Sequence, residues 1–523
     1  MKKYSQIATI SLGAVLLTAC ASKSRDHQAA LRDSIAKKDF MKAKEIISHG
    51  EFLSEENNKL LLTMEKGRTF FLAKDYFQAL NEFNKARDLS EELFTVSISK
   101  KASSGLVNDN SDNYYGESYE KSMIRFYQSL THHMLSLAGE YEAHQVSQKD
   151  ADGKVILKPI ASKKLSNQEI HFHATAAKNV LLDWDSYLST LKATTGGVAT
   201  YKDDLLAKMY GAYIHQTAGS SADMQIARDL YKSAKTVLMR NYNIYKSFNT
   251  KYEDFRKKFS DLPNLTPAQL EQSFISKTKS YKELEGYIDN QISSLESGKA
   301  NNVLFIIENG LIQPKVAKKF SIPLAQGNTG RQLASVGNDI VGFSQKVLSA
   351  AAGSVPSIYF ELPEIPFAPV QNSAKIVLES LDGKKVLEQP LFIVGPMDEI
   401  ANQALDEKIT GIRIKTGSRV AAKHLAAITA AYGVYSQLKK NAPEMVAFAA
   451  ASASYAAANK LIASSEQADL RSWSTLPQSF SLSSARMPAG EYKVSLVENG
   501  VITPLQNIQI NAKRARNIVA LQR

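Results

Sequence analysis

The stretches AKKDFMKAKEIIS (residues 36–48) and LAKDYFQALNEFN (residues 72–84) align with a shift of 36 residues. Asp39-Phe40 falls on Asp75-Tyr76, Ala43 on Ala79, and Ile47 on Phe83. On a helix Phe40, Ala43 and Ile47 share one face, as do Tyr76, Ala79, Leu80 and Phe83. An alanine at a fixed place admits a neighbouring helix, and the aromatic fills the space beside it. Leu60, Met64 and Phe71 form a matching stripe just before the second copy, so the spacing predicts stacked helix pairs.

This pattern resembles the tetratricopeptide repeat, whose helix pairs recur at about 34 residues. LAGEYEA (Leu137 to Ala143) reads as a third, degenerate copy and MQIARDLYKSAKTVL (Met224 to Leu238) as a fourth. The repeat's usual tryptophan and closing proline are missing and the spacing is irregular, so stacked pairs are expected but no regular superhelix. Residues 147–169 interrupt the array as a polar insertion with room for a short hairpin.

Proline sets the next boundary. None precedes Pro159, whereas eight of the fifteen fall between Pro314 and Pro396. Proline disrupts helix interiors, so the chain turns from helix to strands and turns there. VLFIIENG (Val303 to Gly310) changes the period, and FSIPLA, SIYFELPEIPF and KIVLESLDGKKVLEQPLFIV follow as strands. Asp382-Gly383 predicts a hairpin turn with positive φ at both positions. Alanine-rich helix returns from about Pro396 to Ala468, too weakly apolar to span a membrane. Two strands around Asn499-Gly500 and a last one near Ile518 to Leu521 close the chain.

The expected class is therefore α+β: helical repeats, then a β-rich region with an alanine-rich helical insertion. The corresponding segments are 1–19 (signal peptide), 20–300 (helical repeats), 301–396 (β-rich), 397–468 (helical) and 469–523 (strands completing the β-rich domain).

The lone cysteine gives an address. Lys2 and Lys3, an apolar run centred on Ala14 to Leu17, and small residues lead in order to Cys20. That is the layout of a secretory signal, too short for a spanning helix. Leu17-Thr18-Ala19-Cys20 resembles a bacterial lipobox, which implies acylation of Cys20. Ala21 and Ser22 follow where inner-membrane lipoproteins often carry Asp, so the family rule points to the periplasmic face of the outer membrane. With no second cysteine the chain has no internal disulfide, and packing must hold it.

IENGLIQPKVAKKFSIPL (Ile307 to Leu324) and EQADLRSWSTLPQSFSLSSARMPAGEYKVSL (Glu466 to Leu496) resemble an uncharacterised family of proteobacterial outer-membrane lipoproteins. Its motifs correspond to Asn309-Gly310 through Pro314-Lys315, and to Ala468-Asp469-x-Arg471-Ser472-Trp473 with Leu476-Pro477. The resemblance implies a repeat-like N-terminus and a conserved C-terminal region, and supplies no catalytic residue. Asp469 is placed to cap or pair with Arg471, and Trp473 to seal helices against sheet. The alternative is a ligand pocket with Arg471 for an anion and Trp473 for stacking.

Chemical motifs are weak. Ser97 to Lys100, Ser111 to Asn113 and Lys415 to Gly417 imitate the serine β-lactamase signature with the wrong spacing and context. Only Ile412 to Ile414 hint at the required strand. His132-His133 and His171-Phe172-His173 lack the spacing of a zinc site and read as solvated helix residues. No phosphate-cradling glycine loop occurs, so neither metal nor cofactor is expected.

The net charge of +12 suits solubility or an anionic partner, and basic residues are too dispersed to announce nucleic acid. Lys513 to Arg516 reads equally as a contact for an anionic surface or as a charged sheet edge. The expected function is a non-enzymatic scaffold binding envelope proteins while the lipid on Cys20 holds it to the membrane. Its machinery would be secretion, motility or cell-wall control. The alternative is binding of peptidoglycan or lipopolysaccharide.

Overall fold

The computed structural model describes residues 26–49, 51–100, 112–149, 155–194, 201, 203–245, 279–323, 343, 357–366, 374–510 and 517–523. Cys20, Ser111 and Lys513 to Arg516 lie outside them.

Helices α1 (residues 26–36), α2 (Phe40–Ser48), α3 (Lys59–Leu72), α4 (Tyr76–Lys100) and α5 (Ser118–Ala138) open the chain. The two aligned stretches make the same turn. Lys38 and Lys74 both adopt left-handed backbone, at φ 59° and 63°. Asp39 N–H donates to Ser34 O and Asp75 N–H to Phe70 O, each at 2.9 Å. The Asp39 carboxylate then accepts from Lys42 N–H and that of Asp75 from Gln78 N–H, which starts the next helix.

Helix packing follows the sequence stripes. Ala43, Ile47, Ala79 and Phe83 are fully buried, and Phe40 and Tyr76 pack partly buried against them. Gly67 admits α4: a Cβ there would stand 2.6 Å from the Phe83 ring. The third expected copy is not a helix pair. Gly139 ends α5 in left-handed backbone at φ 68°, and Glu140–Tyr141 continue as the short strand β1. A glycine lets the chain turn there, whereas the first two copies place a lysine and an aspartate before the next helix.

The polar insertion forms the hairpin β2 (His144–Lys149) and β3 (Val155–Ile160); β4 (Lys163–Lys164) then pairs with β1. Helices α6 (Asn167–Thr194), α7 (Leu205–Ala218), α8 (Ser221–Ile244) and α9 (Lys279–Glu296) complete the helical layer, and the stretch 224–238 lies within α8.

Among the described residues ten further strands follow: β5 (Val303–Asn309), β6 (Val316–Pro323), β7 (Ser357–Glu364), β8 (Lys375–Ser380), β9 (Lys385–Pro390), β10 (Phe392–Gly395), β11 (Ser479–Ala485), β12 (Gly490–Glu498), β13 (Val501–Ile510) and β14 (Asn517–Gln522). One sheet runs β10-β11-β5-β14 and a second β13-β12-β8-β9, while β6 and β7 pair separately. Both four-stranded sheets draw strands from either side of the helical insertion.

The uninterrupted apolar run of β5 has a physical reason: both its faces are buried. Leu304 and Ile306 join the core of the helical layer, while Val303, Phe305 and Ile307 join the core between the sheets. The flanking strands alternate likewise, with Phe480, Leu482 and Ile518 towards the helices and Val519 and Leu521 away. The molecule is thus layered helix, sheet, sheet. Fully burying such a side chain stabilises by roughly 1.5–3 kcal/mol, so β5 anchors two cores at once.

Turn chemistry refines one expectation. Asn499 and Gly500 both have positive φ, at 52° and 81°, but in the earlier hairpin only Gly383 does, at 86°. There Gly383 N–H closes on Ser380 O across four residues, so Asp382 is spared the left-handed region.

The insertion is an antiparallel helical hairpin, α10 (Met397–Leu438) and α11 (Glu444–Ser465). Ile412 to Ile414 and Lys415 to Gly417 are helical, so the strand that the β-lactamase signature requires is replaced by helix interior. Fully buried Ala431, Ala447 and Ala451 let the helices approach closely, and β7 supplies Phe360 and Leu362 to their core. Among the described residues no helix is long and apolar enough to cross a membrane.

Candidate functional site

Helix α10 presents Lys408, Ile412, Lys415 and Arg419 at helical spacing along one face. That face forms one wall of a cleft of about 380 Å³. Tyr115, Gly116 and Glu117 of the loop before α5, Lys315, Asp469 and Arg471, and Glu361 and Pro363 of β7 also line it. The cleft lies where the helical layer, the α10–α11 hairpin and the β6–β7 pair converge, a usual place for ligand pockets.

Its charges are interlocked. Glu117 accepts from Lys315 at 3.2 Å and from Lys408. Burial alone would raise the Glu117 carboxyl, yet the two ammonium groups outweigh it and hold it down to about 2. Burial likewise opposes the Lys315 charge, but Glu117, Glu120 and Asp469 push its pKa up. Arg419, also buried, grips Glu466 at 2.8 Å, and Lys423 reaches the same carboxylate at 2.7 Å. Two carboxylates at this end of the molecule therefore serve two cations each.

The sequence cluster divides here. Asp469 and Arg471 form a two-point ion pair, Nε to Oδ1 at 2.9 Å and Nη2 to Oδ2 at 2.8 Å. Arg471 also donates to Asp112 O at 3.0 Å and lies over the Tyr114 ring at 5.4 Å. Trp473 does not line the cleft: it is fully buried, 6.2 Å from the Phe83 ring and 5.9 Å from that of Tyr127. It seals helices against sheet. Stacking on a ligand is closed to it.

Two buried carboxylates that the sequence reading passed over hold this segment. Glu120 accepts from Trp473 N–H at 2.8 Å, and Glu65 from Ser474 N–H at 2.7 Å and Thr475 O–H at 2.5 Å. Burial raises both carboxyls, against the hydrogen bonds that favour their charge. A signal was present for Glu65: α3 is apolar around most of its circumference, so a charge on its buried faces had to be partnered.

The histidines are corrected too. His132, His133 and His173 are buried, and His132 Nδ1 meets His173 Nδ1 at 2.8 Å between α5 and α6. The Tyr141 hydroxyl meets His173 Nε2 at 2.9 Å. Helical spacing alone did not reveal that α6 would cover this face of α5. Among the described residues no group of three or more His, Cys, Asp or Glu side chains is arranged to hold a metal ion.

Of the β-lactamase-like residues, Asp112, Asn113, Lys415 and Thr416 do reach the cleft, but the lysine and threonine sit mid-helix. The family-like motifs converge better: Lys315 from one and Asp469 and Arg471 from the other line the same space. Comparison of the chain with protein-family models, curated proteins and solved structures finds no match.

Proposed function

We propose that this chain is a non-enzymatic lipoprotein, acylated at Cys20 and held on the periplasmic face of the outer membrane. There it serves as a protein-binding scaffold in a cell-envelope assembly. The ordered charge, apolar run, small residues and cysteine of residues 2–20 support the address.

One observation carries the scaffold reading. The residues that looked chemical, Trp473, His132 and His173, are spent on internal packing, and Glu65 and Glu120 clamp the 473–475 segment into the helical layer. Helices, sheets and that segment then form a rigid support, whose helix pairs leave extended surfaces for partners. The matching turns at Lys38-Asp39 and Lys74-Asp75 support kinship with tetratricopeptide repeats. Convergence of Lys315, Asp469 and Arg471 supports the likeness to the proteobacterial lipoprotein family.

The test is crosslinking in living cells with mass spectrometry of captured partners, for wild type and Cys20→Ala together, alongside labelling with radioactive palmitate. The reading requires palmitate on the wild type alone, and a defined envelope complex captured by wild type and lost in the variant. Absence of both sinks it. A second reading, binding of peptidoglycan or lipopolysaccharide, is favoured by the cationic α10 wall of the cleft.

A further inference from the structure

We infer that the buried imidazole pair His132–His173 is an acid-operated latch, whose protonation releases the short β1–β4 ladder and the first turns of α6 from α5 while the rest of the fold stays closed. The inference stands apart from the function proposed above, since it needs neither the lipid nor a partner.

The pair bridges two helices. His132 of α5 and His173 of α6 are both buried, and their Nδ1 atoms stand 2.8 Å apart. One nitrogen must donate and the other accept. The Tyr141 hydroxyl of β1 meets His173 Nε2 at 2.9 Å, which extends the chain of hydrogen bonds to the ladder. Run in either direction, that chain needs two neutral rings. A further proton on the accepting Nδ1 sets N–H against N–H and leaves a charge in a buried site. Burial, with His173 beside it, lowers the His132 pKa to about 4, and burial lowers that of His173 as well.

The surrounding charges do not offset this. On His132 the charge that acts is that of His173 itself. Glu169 of α6 acts on His173, but it is already paired with Lys163 of β4 at 2.6 Å and accepts from Ser166 N–H at 2.8 Å. Glu142, just after β1, is acted on by Asp75, Lys44, Glu140 and Lys74. Helix α4 contributes an apolar group, Phe77, whose ring lies 4.5 Å from that of Tyr141 and 5.0 Å from that of His144.

The segment held by the pair has little else to hold it. β1 and β4 are two residues each and pair with one another in a two-stranded sheet. Leu165 N–H closes its base on Gly139 O at 2.9 Å. Gly139, in left-handed backbone at φ 68°, joins the segment to α5 and is the natural hinge. Such short, solvent-facing elements open locally at a fraction of the global cost. Opening lifts Tyr141 off Phe77 and so uncovers an apolar ring on α4.

The test is hydrogen–deuterium exchange of the full chain in detergent at pH 7 and pH 5, read by mass spectrometry as protection relative to unstructured peptide at each pH. Opening returns His132 to its ordinary 6.5, so peptides covering residues 140–141, 163–164 and 167–173 should lose protection about twentyfold at pH 5. Peptides of α3 should hold theirs. His132→Phe and His132→Gln, each checked by its melting curve, should keep the same protection at both pH values. Whichever variant folds is decisive, and if neither does, the contrast with α3 in wild type decides. Equal loss throughout the molecule, no loss at pH 5, or an acid loss that survives in the folded variant overturns the inference.

Discussion

The Arg68 guanidinium on α3 lies 2.6 Å from the Glu308 carboxylate on β5, an ion pair spanning 240 residues in which both side chains are buried. Tyr127 of α5 donates to the other Glu308 oxygen at 2.9 Å, and Arg68 stacks over the Tyr127 ring at 4.9 Å. Removing one partner from such a pair leaves an uncompensated buried charge. Arg68→Ala should therefore cost about 3–5 kcal/mol in urea unfolding. Replacing both charges together, as Arg68→Met with Glu308→Gln, should lie closer to wild type than Arg68→Ala does, because the attraction mostly repays desolvation.

Gly67 tests the helix approach seen in the repeat stripes. A methyl group there must displace the fully buried Phe83 ring. Gly67→Ala should destabilise by about 1–3 kcal/mol despite alanine's better helix propensity. A neutral or stabilising result would show that the ring yields freely.

Lys74 is exposed and left-handed, at φ 63°. Glycine relieves that strain while gaining freedom in the unfolded chain, so Lys74→Gly should stabilise slightly, by about 0.5 kcal/mol. Lys74→Val should instead cost about 1 kcal/mol or more, since a branched Cβ suits this region worst. Melting midpoints moving in opposite directions would establish the turn.

His132 sets an acid dependence. Burial, with the neighbouring His173, lowers its pKa from 6.5 to about 4, so the fold prefers it neutral. The unfolded chain binds the proton first. The stability is present above pH 6.5 and drains away as pH falls towards 4, by about 3 kcal/mol in all. In His132→Phe this part of the decline should vanish, which urea titrations at pH 7 and 5 would reveal. An unchanged decline would place the sensitivity elsewhere.

Much of the architecture was legible because it depends on local order. The Phe40–Ala43–Ile47 and Tyr76–Ala79–Phe83 stripes announced helices. VLFIIENG announced a strand, and proline marked the change between them. LAGEYEA misled because resemblance in apolar spacing ignores the glycine, whose left-handed φ ends α5. At the cleft, the pairing of Asp469 with Arg471 was readable from two residues of sequence. Glu117 and Lys408 were not, since each is an ordinary charged residue until remote segments meet; Lys315 stood in a quoted motif, but its pairing with Glu117 was not readable there.

The sequence by itself determined the elements and their buried faces, because periodicity and turn chemistry act within a few residues. Only the tertiary structure decided what those faces meet. Leu304 and Phe305 are adjacent and equally apolar, yet one enters the helical core and the other the core between the sheets. Glu65, Glu120 and Glu308 became internal clamps for the same reason. Burying a charge is costly unless a partner waits, and the partners came from chain segments hundreds of residues away.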